Sequence, residues 1–367
     1  MTAIGITGSY GGLNAGDEAI LTSMVSTLRH AVDGVSLTVF SREASHTLAH
    51  HDVDTTVPVG GLTRKEELAV MGSLDLLLLG GGGILYDGEA RRYLREVRVA
   101  QEAGVRTMAY AVGAGPLTYS EDRRLLREML PHMDAVTVRD AGTKRLLEAL
   151  DVDCDVEVTA DPAFLLDAER FSEAQLGVEG IPCSRRLVGL SLREPGLAAP
   201  DLDPDGYHAV LAHIADFVAE RFEADVVFIP MEKHDVRLSH AVIARMNNVE
   251  RAHVLKRRYR PCQLLGLMQH LTMVVGMRLH VLIFAALAGV PLFALPYAPK
   301  VADFLESVGM APSIRVSTES VGSLLAAIDR TWDLREALAA SMSGPVATLR
   351  QRSLRTVDIA VACLGAP

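Results

Sequence analysis

The sequence predicts an α/β protein of two domains, each a mostly parallel sheet with helices on both faces. Three observations carry this expectation. The chain has 367 residues, a length that suits two domains of ordinary size. Short apolar runs alternate with longer helical patterns almost throughout. Glycine clusters follow several of the apolar runs, where a strand would turn into a helix.

Taken in order, strands are expected at Ala3–Thr7, Ser36–Phe40, Asp75–Leu79, Arg106–Ala111 and Ala135–Val138. Helices between them are expected at Asp17–Ala31, Gly88–Ala103, Glu121–Leu130 and Ala141–Leu150. The rhythm stalls from Asp167 to Arg186, where Gly177, Gly180 and Pro182 sit among charges, so residues 171–185 read as a linker. It restarts with strands at Leu187–Leu192, Val226–Ile229, Ala252–Leu255, Leu271–Val275 and Leu292–Leu295. Helices are expected at Gly206–Phe222, Val236–Met246, Gln263–Met268, Val281–Leu287 and Val301–Val308. The segment Ser317–Leu364 reads as helical and packs back on one domain or the other. The expected division is 1–170, a linker at 171–185, 186–345, and a helical tail at 346–367. Two Rossmann-like domains facing each other across a cleft is the natural architecture.

Nearly half the residues are apolar, enough for a core in each domain. A net charge of -10 argues against general nucleic-acid binding, which needs a basic face. The four cysteines, Cys154, Cys183, Cys262 and Cys363, are scattered, which speaks against a disulfide framework or a zinc site. The chain opens on a strand pattern, not a signal peptide. Its longest apolar stretch, Val281 to Tyr297, is broken by Gly289, Pro291 and Pro296 and is short for a membrane span of roughly 20 residues. A soluble cytoplasmic protein is expected.

The stretch Met277-Arg278-Leu279-His280 is the most informative. It places an arginine and a histidine at a strand-to-helix turn inside apolar sequence, and α/β proteins bind ligands at the carboxyl ends of their strands. Arginine offers a planar fork for carboxylate or phosphate, and histidine can move a proton near neutral pH. The structural alternative is a buried arginine paired to an acid beside a satisfied core histidine.

Three glycine loops are expected at strand ends, lining one wall of the cleft. The first, Gly8 to Asn14, precedes a helix whose first turn holds Asp17 and Glu18. It has neither the dinucleotide-binding spacing nor a P-loop lysine. The acids there serve a ligand or simply complement the helix dipole. Gly80-Gly81-Gly82-Gly83 reads as a ligand-facing loop, followed by Tyr86 and Asp87, which could face a sugar. Gly113-Ala114-Gly115-Pro116 is the third. Arg193 falls at the tip of the first strand of the second domain, and its alternative is a surface ion pair. Asp161 is equally open to a structural or a functional role. His234 and Asp235, at another polar strand end, are candidates too, with a solvated loop the favoured alternative. Lys300 could reach a phosphate. The run Lys256-Arg257-Arg258-Tyr259-Arg260 is the pattern of a solvated face, and it would also attract an anionic acceptor or membrane lipid.

In this order, Gly11–Glu18, Gly80–Gly83, Ser191-Leu192-Arg193, Phe228-Ile229-Pro230-Met231 and Gly276-Met277-Arg278-Leu279-His280 resemble the polysaccharide pyruvyl transferases. The resemblance runs from Gly5 to about Val308 and looks closest to the branch acting on N-acetylmannosamine of bacterial cell-wall polymers. It implies a fold similar to the GT-B glycosyltransferases. It also implies phosphoenolpyruvate as co-substrate, with no cofactor and no metal, and a sugar diol as acceptor. That acceptor is lipid-linked, polymeric or a free nucleotide sugar. The product it implies is a cyclic pyruvate ketal, with phosphate released. On this reading Arg278, Arg193 and Lys300 hold phosphoenolpyruvate, and His280 is the acid/base. Asp17 or Glu18 is the second base, and Asn14, Gly81, Gly82, Gly83 and Tyr86 bind the sugar. The first domain then takes the acceptor and the second the donor. The enzyme would be cytoplasmic, or peripheral at the inner face of the plasma membrane.

Two other classes compete. A nucleotide-sugar glycosyltransferase would use the same frame, and a silent sugar- or nucleotide-binding module would need no proton carrier such as His280. A nicotinamide dehydrogenase ranks last, because its glycine fingerprint is absent.

Overall fold

The computed structural model describes residues 2–194, 203–296, 298–314, 316–317 and 320–365. Tyr297, which closes the longest apolar stretch, lies outside them. The chain forms two compact units. The first holds residues 1–166 and 348–367, and the second holds residues 167–347.

The first unit contains a seven-stranded parallel sheet. Its strands are β1 (Ala3–Thr7), β2 (Ser36–Ser41), β3 (Thr55–Pro58), β4 (Leu76–Leu85), β5 (Arg106–Ala114), β6 (Ala135–Val138) and β7 (Val156–Val158). Their order is β3-β2-β1-β4-β5-β6-β7. Helices α1 (Ala15–Ala31), α2 (Ala44–His50), α3 (Arg64–Met71), α4 (Ala90–Glu102), α5 (Ser120–Met129) and α6 (Ala141–Ala149) connect them. The continuous run Leu76–Leu79 is fully buried, as expected for a strand covered on both faces.

The second unit opens with α7 (Glu173–Glu179) and contains a five-stranded parallel sheet. Its strands are β8 (Arg186–Ser191), β9 (Ala224–Phe228), β10 (Ala252–Val254), β11 (Met273–Gly276) and β12 (Leu292–Ala294), in the order β10-β9-β8-β11-β12. Helices α8 (Pro204–Arg221), α9 (Lys233–Ile243), α10 (Pro261–Met268), α11 (Leu279–Leu287) and α12 (Pro299–Ser307) join them. Then come α13 (Val321–Asp333) and α14 (Arg335–Gly365). Each unit is thus a doubly wound Rossmann-like domain. The chain steps outward from the first strand, then returns to pair on its other side, β4 beside β1 and β11 beside β8. Among the described residues no helix is long and apolar enough to cross a membrane.

Three expectations need correction. Residues 171–185 are not a free linker. Ser172 and Gln175 form a capping box for α7, Gly180 ends that helix with φ 75°, and Phe171, Leu176 and Ile181 are buried in the second unit. Of the charges on that short helix, Glu173 faces solvent and Glu179 is buried. Residues 348–365 are not a separate tail. They carry a buried stripe, Leu349, Ser353, Val357, Ala360 and Cys363, at helical spacing, and belong to the first unit. Ser353 donates to the Asp161 carbonyl, and Arg106 Nη1 donates to the carbonyls of Cys363 and Leu364 at the helix end.

Nor do Gly80–Gly83 form a loop. The strand β4 continues through them to Leu85, paired with β5, with a shift of register between Gly83 and Leu85. The glycines are needed by packing. A Cβ on Gly80 would lie 2.7 Å from Met24 Cε, and one on Gly81, where φ is +45°, would run into Ile20 Cγ2. Helix α1 therefore rests directly on the backbone of β4. We expect Gly81→Ala to destabilise the protein by at least about 2 kcal/mol through clash and backbone strain. Urea denaturation measures this, and an unchanged midpoint would show that α1 can move aside.

Candidate active site

The candidate residues of the second unit gather at the carboxyl ends of three adjacent strands. Arg193 follows β8, Arg278 and His280 follow β11, and Lys300 lies in the first turn of α12, after β12. Tyr207 of α8 ties two of these ends together. Its hydroxyl donates to the Arg193 carbonyl at 2.8 Å and lies 2.9 Å from Met277 Sδ. Burial raises its pKa, as does Glu194, while the charges of Arg193 and Arg278 pull the other way. The hydroxyl thus feels both arginines.

Arg278 is buried, and its side chain is engaged. Nε donates to Asp235 Oδ2 at 3.0 Å, and Nη2 is bound by Asp235 Oδ1 and Glu232 Oε1. Asp235 is 2 % exposed and also accepts from the Met231 amide. Burial would lower the arginine's pKa, and these carboxylates hold it above the ordinary value, so it stays charged. This corrects two expectations. The fork of Arg278 is not an open anion site, because one edge is filled by acids. Asp235 is not part of a solvated loop, because the start of α9 turns it inward. Only Nη1 of Arg278 takes no part in these bonds. The Glu232 side chain, at 33 % exposure, is the more displaceable partner. His280 is half-buried in the first turn of α11, and Arg193 and Lys300 are half-buried as well.

In the first unit, Asn14 caps α1 by accepting from the Gly16 amide at 2.9 Å. Glu18 is buried and holds the glycine loop, its Oε1 accepting from the Gly11 amide at 3.0 Å and its Oε2 meeting His51 Nε2 at 2.7 Å. Burial pushes its carboxyl up, but the bond and charge of His51 and the Gly11 amide outweigh this and lower it. Both oxygens are committed to the loop, so Glu18 is a positioning residue there and not the base expected of it.

Asp17 is half-buried near Gly82, whose Cβ would lie 3.7 Å from its Oδ1. Its charge acts on Tyr86 and Tyr93, whose pKa values burial raises first, with Glu89 and Asp17 adding to the rise. Arg42, which follows β2, donates to the Tyr93 hydroxyl at 2.7 Å and pairs with Glu89 at 3.6 Å. Of the predicted sugar contacts, Gly83 and Tyr86 are exposed, whereas Gly81 and Gly82 are buried.

Arg139, at the end of β6, is buried between Asp161 (3.0 Å) and Asp140 (3.3 Å). A Cβ on Gly113 would come within 2.8 Å of its Nε, so that glycine makes room for a guanidinium and is part of β5, not of a loop. Asp161 is thereby structural. Sequence reasoning missed Arg42, Tyr93, Arg139 and His51. The strand-end rule that selected Arg193 would have found Arg42 and Arg139, had the ends of β2 and β6 been searched for basic residues. Nothing in the sequence marks His51.

Two recesses, of about 710 and 500 Å³, open at the amino ends of the strands instead. One arginine at each is occupied by structure. Arg251 donates to Ala219 O near the end of α8, and Arg106 holds the end of α14. The candidate site residues of each unit lie at the opposite edge of its sheet.

Close to the first unit's site, the Thr7 hydroxyl at the end of β1 donates to the buried carboxylate of Glu96 on α4. Burial lifts that carboxyl to about 7, against the pull of Thr7, Arg95 and Arg92. A folded-state value above the unfolded one means the native state holds a proton the unfolded chain has lost. The stabilisation is therefore complete below the ordinary carboxylate range and fades as pH rises through about 7. We expect Glu96→Gln to flatten this fall, gaining on the wild type between pH 5 and 8 by at most about 3 kcal/mol. Parallel stability profiles for the two proteins would refute it.

A model of the polysaccharide pyruvyl transferase family matches residues 14–299. No curated protein sequence matches the chain. Among solved structures, S. aureus MnaA, in a co-structure with UDP, is 9 % identical with a TM-score of 0.68, covering 99 % of this chain and 98 % of its own. A putative UDP-N-acetylglucosamine 2-epimerase from Listeria monocytogenes is 12 % identical with a TM-score of 0.64, over 93 % and 90 % of the two chains. The E. coli ADP-heptose lipopolysaccharide heptosyltransferase II is 17 % identical with a TM-score of 0.53, over 90 % and 98 %. These likenesses place the fold among the GT-B glycosyltransferases and epimerases.

Proposed function

The chain belongs to the polysaccharide pyruvyl transferase family, and from that premise we propose that it moves the pyruvyl group of phosphoenolpyruvate onto two hydroxyls of one sugar. The product is a cyclic ketal, made in the cytoplasm during synthesis of a bacterial cell-surface polysaccharide. The observation that carries this reading is the convergence of Arg193, Arg278, His280 and Lys300 on three adjacent strand ends of one sheet.

Phosphoenolpyruvate carries a carboxylate and a phosphate and calls for at least two cationic anchors. Arg193 and Lys300 serve as these. Arg278 contributes its remaining edge, and Glu232 gives way to the donor while Asp235 keeps the guanidinium in place. His280 moves the protons. A first sugar hydroxyl bonds to C2 of the donor as C3 takes a proton and becomes a methyl group. The C2–O bond to phosphate then breaks, and phosphate departs with the electron pair. The second hydroxyl bonds to the oxocarbenium carbon and releases its proton. In the first unit, Asp17 with Tyr86, Arg42 and the exposed Gly83 supports the acceptor role, and Asp17 is the base for an acceptor hydroxyl.

A second reading, a nucleotide-sugar glycosyltransferase, is favoured by the fold shared with the heptosyltransferase and with a protein solved with UDP. Melting curves with phosphoenolpyruvate, UDP-sugars, GDP-sugars and NAD separate the two, because a ligand of the native state raises Tm by mass action. We expect phosphoenolpyruvate to stabilise, and Arg193→Ala or Lys300→Ala to weaken its binding about 10-fold or more. Glu232→Gln should tighten it, since that carboxylate competes with the donor. Removing Arg278 is the poorer probe, because it strands Asp235 as a buried unpaired charge. A shift with a nucleotide sugar and none with millimolar phosphoenolpyruvate, even with that nucleotide sugar present, would overturn the pyruvyl-transfer reading.

A further inference from the structure

We propose that the loop after β10, residues 256–260, is a rigid electrostatic docking surface for an anionic lipid bilayer. In a chain of net charge -10, four of these five residues are cationic. Lys256, Arg257 and Arg258 are exposed, and among the described residues none of the three forms an ion pair with a neighbour. Arg260 is paired with Glu169 at 2.6 Å and is not counted.

The loop is held from beneath. Glu179, 2 % exposed at the end of α7, accepts from the amides of Lys256 (2.5 Å) and Arg257 (3.3 Å) and from the Tyr259 hydroxyl (2.6 Å). A buried acid thus fixes the backbone of two of the three basic residues and the side chain of the tyrosine that follows them. This arrangement spends no bond on the cationic heads, so they are kept for solvent or a partner. It also keeps the entropy lost on docking small.

The place of the loop sets it apart from other basic groups. Arg106 and Arg251, at the amino edges of the sheets, are bonded to helix carbonyls, where cations are expected. The loop is at the carboxyl edge, just before Pro261 opens α10, where helix dipoles already favour anions and no carbonyl asks for a cation. Neither of the two recesses includes it, and its one aromatic, Tyr259, is engaged by Glu179 and Phe171. It therefore reads charge density, not shape, which is what a surface of anionic headgroups offers. That edge also carries Arg193, Arg278 and Lys300. On the proposed function, docking there would bring those residues toward an acceptor carried in the membrane.

Sedimentation with vesicles tests this without donor or acceptor, so its failure is read separately from any failure of pyruvyl transfer. The full chain is spun with vesicles of phosphatidylcholine alone and with phosphatidylglycerol added, at low and high salt. Three exposed cations should raise partitioning by about 100-fold at low salt, and high salt should erase the gain. K256E/R257E/R258E should abolish it and K256A/R257A/R258A weaken it. A control with the same change in net charge elsewhere, K65E/R98E/R124E, should keep most of it. Equal binding to neutral and anionic vesicles would overturn the proposal, as would equal losses in the control and the loop variant. Binding to soluble dextran sulfate with none to vesicles would overturn it in favour of an anionic polymer.

Discussion

In each unit the chain comes back to the middle of its sheet, and the candidate site residues hang from that return. β4 pairs with β1 over Ile4–Thr7 and Leu76–Leu79, and β11 pairs with β8 over Val188–Ser191 and Met273–Gly276. Loops leaving two such neighbours diverge to opposite faces, which leaves the strand ends uncovered between them. Arg193 and Arg278 stand on one such pair of ends, and Gly83 and the loop held by Glu18 on the other. The apolar runs that specify these central strands therefore also specify where chemistry can happen.

Exposing those ends requires that nothing beside them collapse inward, and the charged groups show how this is managed. Each buried basic group at a carboxyl edge has its own acids: Arg139 has Asp140 and Asp161, and Arg278 has Asp235 and Glu232. Pairing offsets the cost of burying the guanidinium, but it also lowers its pull on an anionic ligand. The two cases differ in one respect. Both partners of Arg139 are mostly buried, whereas one partner of Arg278 is a third exposed. The first is a fixed strut over Gly113 of β5. The second is asymmetric, and the proposed donor role rests on that asymmetry.

How far the sequence revealed this depends on the range of the forces involved. The other central strands and the long helices were legible to within a few residues, because their signal is the local periodicity of buried apolar side chains, whereas β4 runs past the expected Leu79 to Leu85. The strands and helices between residues 44 and 71 were not. β3 is four residues ending in Pro58, and α2 and α3 are short and largely polar, so their order comes from caps and from neighbours in the sheet. Arg278 and His280 stood out as polar residues inside an apolar run. The partners of Arg278 did not, because Asp235 lies 43 residues away in what reads as a charged loop. Glu18 looked like a catalytic acid for the same reason. Its sequence position fits a helix first turn, and only folding brings His51 and the Gly11 amide to it.

The glycines teach the reverse lesson. Four in a row after a buried strand suggested bare backbone offered to a ligand, yet Gly80 and Gly81 are filled by Met24, Tyr10 and Ile20 of the same unit, and Gly113 by Arg139. A glycine reports that something comes close, and in a doubly wound domain the first thing to come close is the helix that crosses the sheet. Of the four glycines in that run, only Gly83, three residues before Tyr86, is exposed to an outside molecule. The site in the first unit is therefore narrower than the glycine count implied. It depends on side chains, Asp17, Arg42, Tyr86 and Tyr93, whose charges and hydroxyls already act on one another. A sugar entering there would replace contacts within that cluster, which makes its specificity a matter of hydrogen-bond exchange more than of shape.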